Sequence, residues 1–348
     1  MAMTIVELDR AVTGGVDTHL DVHVAAALDR IGGLLGVESF AATAPGYRKL
    51  LSWMEAFGPV TKVGVEGTGA YGAGLTRFLR RHGIDVVEVD RQNRQARRQQ
   101  GKSDPLDAIE AARAAQSGRC RGAAKTRDGA VEAIRALVVA KRSARDVRIK
   151  CLNQIRHLSF TGPESLRTQL KGLSPIMLPV EAAALRPRAG SDLVLYATKL
   201  SIQSLGRRVL TLEEETTRID KVLGELVADV APSLLALYGV GVMSAAALLI
   251  AAGDNPERLH SEAAWAHLCG VAPIEASTGK VVRHRLNRGG DRHANAALWH
   301  IVMVRMVSDP RTREYVERRT KEGRSKLEII RILKRYVARE VYPHLPRR

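Results

Sequence analysis

The stretch Gly14-Gly15-Val16-Asp17-Thr18-His19-Leu20-Asp21-Val22-His23-Val24-Ala25-Ala26-Ala27-Leu28 decides the fold. It holds two short apolar or alternating runs, Gly14 to His19 and His23 to Leu28, and a third run, Leu34 to Phe40, follows the turn Asp29-Arg30-Ile31-Gly32-Gly33. Runs of this length between polar turns predict strands. Three in succession with tight turns predict an antiparallel meander. Further on, Thr43-Ala44-Pro45-Gly46 opens a helix to about Phe57, Thr61 to Glu66 predicts a buried strand, Tyr71 to His82 a helix and Ile84 to Val89 a strand. With a last helix starting near Asp104, the order is β-β-β-α-β-α-β-α, which predicts a mixed sheet with helices on its faces.

Ribonuclease-H-like folds have this order, and one half of an actin-like ATPase shares it. From about Lys125 to Leu158 and from Ser191 to Val230 strand alternation disappears. Apolar residues recur at helical spacing instead, Ile134, Leu137 and Val138 in the first stretch, Val209, Leu212, Ile219, Leu223 and Leu226 in the second. These predict a pair of long helices, with Gly162-Pro163, Gly172, Pro175, Pro179 and Pro187 breaking the chain between them. Beyond Pro232 the pattern is again helical. There Tyr238-Gly239-Val240-Gly241-Val242 separates two helices, a turn whose exposed amides suit a nucleic-acid phosphate but which also joins ordinary core helices.

The chain has 348 residues with 54 Lys+Arg against 37 Asp+Glu, a formal net charge of +17, which points to a polyanionic partner. Residues 1 to 120 carry 15 basic and 14 acidic groups, 121 to 230 carry 19 and 12, and 231 to 348 carry 20 and 11, so the surplus lies in the last two thirds. Only 4% of residues are aromatic, which disfavours base stacking on aromatic platforms and favours phosphate contact by Lys and Arg. The basic tail from Arg311 fits nucleic-acid contact about as well as a solvated helix face. No apolar run reaches the roughly 18 residues of a membrane span, and Met1 to Arg10 lacks a signal pattern. Three scattered cysteines argue against disulfide scaffolds and zinc fingers. The expectation is a cytoplasmic protein.

Four carboxylates carry the chemistry. Asp17 lies near the end of the first predicted strand, and Glu66 ends the apolar strand Val63-Gly64-Val65-Glu66, with glycines on either side. Asp104 and Asp107 stand three apart at a helix start and project from one face of its first turn. Each alone has an ordinary role: turn residue, strand end, N-cap, partner of the helix dipole. Together they suit two divalent cations about 4 Å apart that clamp a scissile phosphate. An oxygen-only donor set suits Mg2+ or Mn2+ rather than zinc. His19, His23, His267 and His300 lack partners at motif spacing and are expected to be structural.

A second segment departs from helix composition: Cys269-Gly270-Val271-Ala272-Pro273-Ile274-Glu275-Ala276-Ser277-Thr278-Gly279-Lys280, followed by Arg283, His284, Arg285, Arg288, Arg292 and His293. It sets a hydroxyl beside dense positive charge. Ser277 could attack a phosphodiester whose developing charge the guanidinium groups stabilise, or serve as a turn serine in a phosphate-binding loop. Ser244 and Ser261 precede helical runs and are expected to be N-caps.

These residues resemble the DEDD transposases of the insertion-sequence family one-ten, which includes Piv-type invertases and bridge-RNA-guided recombinases. Gly15-Val16-Asp17, Val63-Gly64-Val65-Glu66-Gly67-Thr68-Gly69-Ala70-Tyr71 and Lys102-Ser103-Asp104-Pro105-Leu106-Asp107-Ala108 are similar to that family's RuvC-like acidic tetrad, and Pro273 to Gly279 to its serine loop. Two positions depart from the pattern: Thr278 replaces a second serine, and Arg288-Gly289-Gly290-Asp291-Arg292 stands for Lys-x-Gly-Asn followed by Arg. The resemblance implies Asp17, Glu66, Asp104 and Asp107 as catalytic metal ligands for Mg2+, with Mn2+ able to substitute, and Ser277 as nucleophile. Lys280, Arg283, Arg285, Arg288 and Arg292 would meet nucleic acid. It further implies a RuvC-like domain over 1–122, a helical coiled-coil arm over 123–230 and an all-α transposase domain over 231–348. The implied partners are donor and target double-stranded DNA, a structured guide RNA, and a homodimer that assembles into a synaptic tetramer. Three competing readings fit parts of the sequence: a metal-dependent nuclease or junction resolvase using water, an actin-like ATPase, and a non-catalytic nucleic-acid-binding protein.

Overall fold

The computed structural model describes residues 10–89, 103–118, 120, 124–188, 190, 192–255, 258–279, 281 and 283–346. Strands β1 (Val12–Thr18), β2 (Val22–Leu28) and β3 (Leu34–Ala41) form the meander. Helix α1 (Ala44–Glu55), strand β4 (Val60–Glu66), helix α2 (Ala73–Arg81), strand β5 (Asp85–Val89) and helix α3 (Asp104–Gln116) follow in the expected order. The sheet runs β3-β2-β1-β4-β5. Its first three strands pair antiparallel, whereas β4 and β5 join in parallel, because a helix carries the chain back across the sheet before each. This is a mixed α/β sheet, consistent with a ribonuclease-H-like fold.

Alternation along β1 assigns its two faces. Gly14 and Val16 turn toward α1, where Leu50, Leu51 and Met54 pack with Val63, Val65, Leu75 and Leu79 into the larger core. Gly15 turns toward α3, whose buried Ala108, Ala111, Ala112, Ala114 and Ala115 form the other face's core with Val24, Ala26 and Val89. Helix α1 starts where the Thr43 side chain accepts a hydrogen bond from the Gly46 amide at 3.3 Å, with Pro45 in the first turn, as its sequence predicts.

By contact density the chain forms two compact units. One combines Met1–Glu132 with Ala251–Gly290 and Pro346–Arg348, the other Ala133–Ile250 with Asp291–Leu345. In the second unit the long helices α4 (Ala130–Thr161) and α7 (Leu193–Val230) run antiparallel. Lys141 pairs with Asp220, and two turns further along α4 Arg148 pairs with Glu213 at 2.7 Å, two turns back along α7. The expected break between them holds two short helices, α5 (Glu164–Leu170) and α6 (Met177–Ala184).

The remaining chain is helical: α8 (Pro232–Leu235), α9 (Val242–Ala252), α10 (Glu262–Leu268), α11 (Arg292–Ser308), α12 (Pro310–Lys321) and α13 (Lys326–Val341), with a small hairpin of β6 (Ile274–Glu275) and β7 (His284–Arg285). Ser261 caps α10 as expected, accepting from the Ala264 amide. Ser244 instead lies inside α9, which begins two residues earlier, directly after the glycine turn. No helix among the described residues is long and apolar enough to cross a membrane.

Candidate metal centre and basic hairpin

Two glycines and a run of alanines bring α3 onto the sheet at backbone distance. A Cβ on Gly15 would stand 2.1 Å from the Ala112 nitrogen and 2.2 Å from the Ala108 oxygen, and one on Gly64 would stand 2.4 Å from the Ala111 oxygen. Side chains two residues further along a strand return to the same face, so Asp17 follows Gly15 and Glu66 follows Gly64 on the α3 side. Val16 and Val65 are register partners in the parallel pair β1 and β4, which makes Asp17 and Glu66 the next positions on neighbouring strands. The first turn of α3 meets these strand ends. Ser103 occupies its N-cap position, so Asp104 is the first helical residue rather than the cap, and Asp107 follows on the same face.

Asp17 and Asp107 are buried, and Asp104 is half-exposed. Burial holds the Asp17 carboxyl above its ordinary pKa; Asp107 and Asp104 add to the rise and His19 opposes it. His19 is the residue that motif spacing missed. Its Nε2 lies 3.2 Å from Asp17 Oδ2 and 3.4 Å from Asp104 Oδ2, and one donor atom from each of the three residues lies within 4.8 Å of the others. The signal that could have found it is strand alternation: His19 stands two places after Asp17, hence on the same side.

Glu66 and Asp107 occupy the adjoining strand end and helix turn but fall outside that tight three-residue group among the described residues. The Thr18 hydroxyl donates to the Glu66 backbone oxygen at 2.8 Å, tying the ends of β1 and β4 together. Gly67, at φ +70°, then turns the chain away in a conformation that disfavours a side chain.

These donors fit a divalent cation. A carboxyl that is nine-tenths buried beside two further acids carries charge that water does not screen, and a dication relieves the repulsion. When bound, such an ion would stabilise negative charge on a phosphate undergoing displacement.

The basic loop forms the β6–β7 hairpin, in which Ile274 pairs with Arg285 and Glu275 with His284. Near its tip, the half-buried Ser277 hydroxyl accepts from the Arg283 amide at 3.2 Å and donates to the Arg283 oxygen at 3.4 Å. Arg283, Arg285, Arg288 and Arg292 are exposed, and Lys280 lies outside the described residues. Gly290 lets the chain pass the Gly270 backbone, where a Cβ would come within 2.3 Å, and the Asp291 carboxylate then caps α11 by accepting from the His293 and Ala294 amides. Asn and Asp cap helices about equally well, which makes this departure from the family pattern structurally mild.

Comparison with known proteins fits both regions. The profile of DEDD-type IS110 transposases matches residues 14–160, covering the sheet, the four acids and α4. A second profile, described as the transposase IS116/IS110/IS902 family, matches residues 231–317, covering the glycine turn and the Ser277 hairpin. The chain belongs to the IS110 transposase family. This transposase-family chain is also similar to an uncharacterized 43.6 kDa protein of insertion element IS110 from Streptomyces coelicolor, at 28% identity over 127 residues. The match spans 36% of this chain and about a third of that relative's length.

Proposed function

We propose that this chain is a DNA transposase or site-specific recombinase that cuts and rejoins strands with a metal-bound acidic site and a serine nucleophile. Asp17, Glu66, Asp104 and Asp107 would hold Mg2+, with Mn2+ able to substitute. Ser277 Oγ attacks the scissile phosphorus; the Oγ–P bond forms as the bond to the leaving strand oxygen breaks, and the serine proton passes to a base while the leaving oxygen takes one up. The phosphoserine bond conserves the energy needed for rejoining. Arg283, Arg285, Arg288 and Arg292, with Lys280, neutralise phosphate charge on donor and target DNA. The proposed organisation is a RuvC-like domain over 1–122, a coiled-coil arm over 123–230 and a transposase domain over 231–348, working with a structured guide RNA and as homodimers in a synaptic tetramer.

What supports this reading above all is the convergence of the buried Asp17 and the half-buried Glu66, at neighbouring strand ends, with the first turn of α3 and its buried Asp107, in a chain of this family. A second reading is favoured by the Ser277 hydroxyl, whose hydrogen bonds lie within its own hairpin. In it, the same acids activate water and Ser277 anchors a phosphate.

The deciding experiment incubates the protein with Mg2+, the RNA flanking its gene and labelled junction DNA, then looks for protein-linked DNA after denaturation. An adduct absent from both Ser277→Ala and Asp17→Asn supports the divided site. Cleavage that forms no adduct and survives Ser277→Ala selects water.

A further inference from the structure

The donor set at the head of α3 is not oxygen-only. His19 is the first residue beyond β1, and its backbone amide donates to the Val22 oxygen at 3.1 Å, closing the tight turn into β2. That turn fixes the imidazole beside Asp17, while the packing of Gly15 on Ala108 and Ala112 fixes the helix start that brings Asp104. Two separate parts of the fold therefore set the three donors at 3.2 and 3.4 Å from one another across His19 Nε2.

An octahedral ion with ligands at about 2.1 Å has neighbouring ligand atoms about 3 Å apart. The distances from Nε2 to the two carboxylate oxygens are within a few tenths of an ångström of that spacing. We propose that His19 is a nitrogen ligand of the divalent cation held by Asp17 and Asp104, and that it makes this centre select Mn2+ over Mg2+. The inference rests on the metal-dependent reading above. Mg2+ is hard, keeps its waters and takes oxygen donors, whereas imidazole suits first-row transition ions, whose affinity for mixed nitrogen and oxygen sites is higher. Two carboxylates and one imidazole supply three donors to an octahedral ion, leaving positions for solvent and for phosphate oxygens of a bound strand.

The test uses the full chain and Mn2+ itself. Electron paramagnetic resonance counts free Mn2+ during titration, with Mg2+ as competitor, and pulsed measurements on the loaded protein detect nitrogen coupled to the metal. The expected result is a nitrogen coupling in the unmodified protein that changes on incorporation of 15N-histidine. His19→Ala should lose that coupling and should lower the preference for Mn2+ over Mg2+ by at least about tenfold. Bound Mn2+ without nitrogen coupling in the unmodified protein, which needs no variant to fold, overturns the proposal. So does an unchanged Mn2+ to Mg2+ ratio in a folded His19→Ala protein; imidazole would then be only a structural neighbour of the two carboxylates. Asp17→Asn separates the two levels: if it binds Mn2+ as the unmodified protein does, the metal centre itself is misassigned, and the role of His19 falls with it.

Discussion

The backbone of Ala112 occupies the space a side chain on Gly15 would need, the would-be Cβ lying 2.1 Å from the Ala112 nitrogen. Helix α3 therefore rests on β1 without an intervening side-chain layer, and the distance from Asp17 to the first turn of α3 depends on a missing methyl group. Gly64 does the same for β4.

Gly15→Ala should displace α3 and cost about 3 kcal/mol of stability, the range for overpacking a filled core. It should also weaken Mn2+ binding, because Asp104 moves with the helix. Gly224→Ala is the contrasting change: Gly224 lies within α7, and no atom outside its own helix lies within 4 Å of its would-be Cβ. It should stabilise by about 0.5 to 1 kcal/mol, the helix-propensity difference. Denaturant midpoints of the two variants check the signs. Equal effects would mean that the packing of Gly15 on α3 does not limit stability.

The same glycine shows what the sequence could and could not disclose. The strands, their order, the place of Asp17 and Glu66 at strand ends and that of Asp104 and Asp107 in the first turn of a helix follow from period-two alternation and turn residues, both local properties. Gly14-Gly15 tells, in sequence, only that backbone or ligand can come close beside Asp17. In three dimensions Gly15 admits a helix backbone some ninety positions away along the chain, which no local pattern encodes. His19 escaped for a related reason: its partner Asp104 becomes a neighbour only once α3 has docked. Ser244 lies inside α9 rather than at its cap because the helix begins at Val242, directly after Gly241.

Asp17 should make the metal-free protein less stable than it could be. Its folded-state pKa is raised above 3.8, so the folded chain holds the proton more tightly than the unfolded chain. Stability from this group is therefore greatest below about 3.8, is lost as pH rises through the higher folded value, and is a net cost at neutral pH. Asp17→Asn removes the ionisation, and in chelator at pH 7.5 should raise stability by about 1 kcal/mol. That gain should shrink as pH approaches the unfolded value. Saturating Mn2+ should reverse the ranking, since binding to the folded state stabilises only the protein that keeps its ligand. Urea titrations across pH, with and without Mn2+, give all four quantities. A variant less stable than the unmodified protein at every pH in chelator would show that the buried carboxylate is not under electrostatic stress.

The segment carrying the Ser277 hairpin is tied to the N-terminal chain by two side chains that follow α9. Asp254 Oδ1 accepts from the Val131 amide at 2.9 Å in the first turn of α4, and Asn255, buried, donates from Nδ2 to the Ala124 oxygen at 3.0 Å. Gly129 makes room for this, since a Cβ there would lie 2.2 Å from Asp254 Oδ1. Asp254 thus does the work of a helix cap from more than a hundred residues away. Asp254→Ala should cost about 1 to 2 kcal/mol, as lost caps do, whereas Asp254→Asn keeps an acceptor and should cost under about 0.5 kcal/mol. Asn255→Ala removes one of the two donors to the Ala124 carbonyl, the Arg80 guanidinium remaining at 2.9 Å, and should cost about 0.5 to 1.5 kcal/mol. Because residues Ala251–Gly290 share a compact unit with the acidic site, loosening this tie should also lower the yield of protein-linked DNA, with Asp254→Asn retaining it. Denaturation midpoints and adduct yields on the three variants decide the matter. If Asp254→Ala leaves both unchanged, the tie does not hold the serine segment.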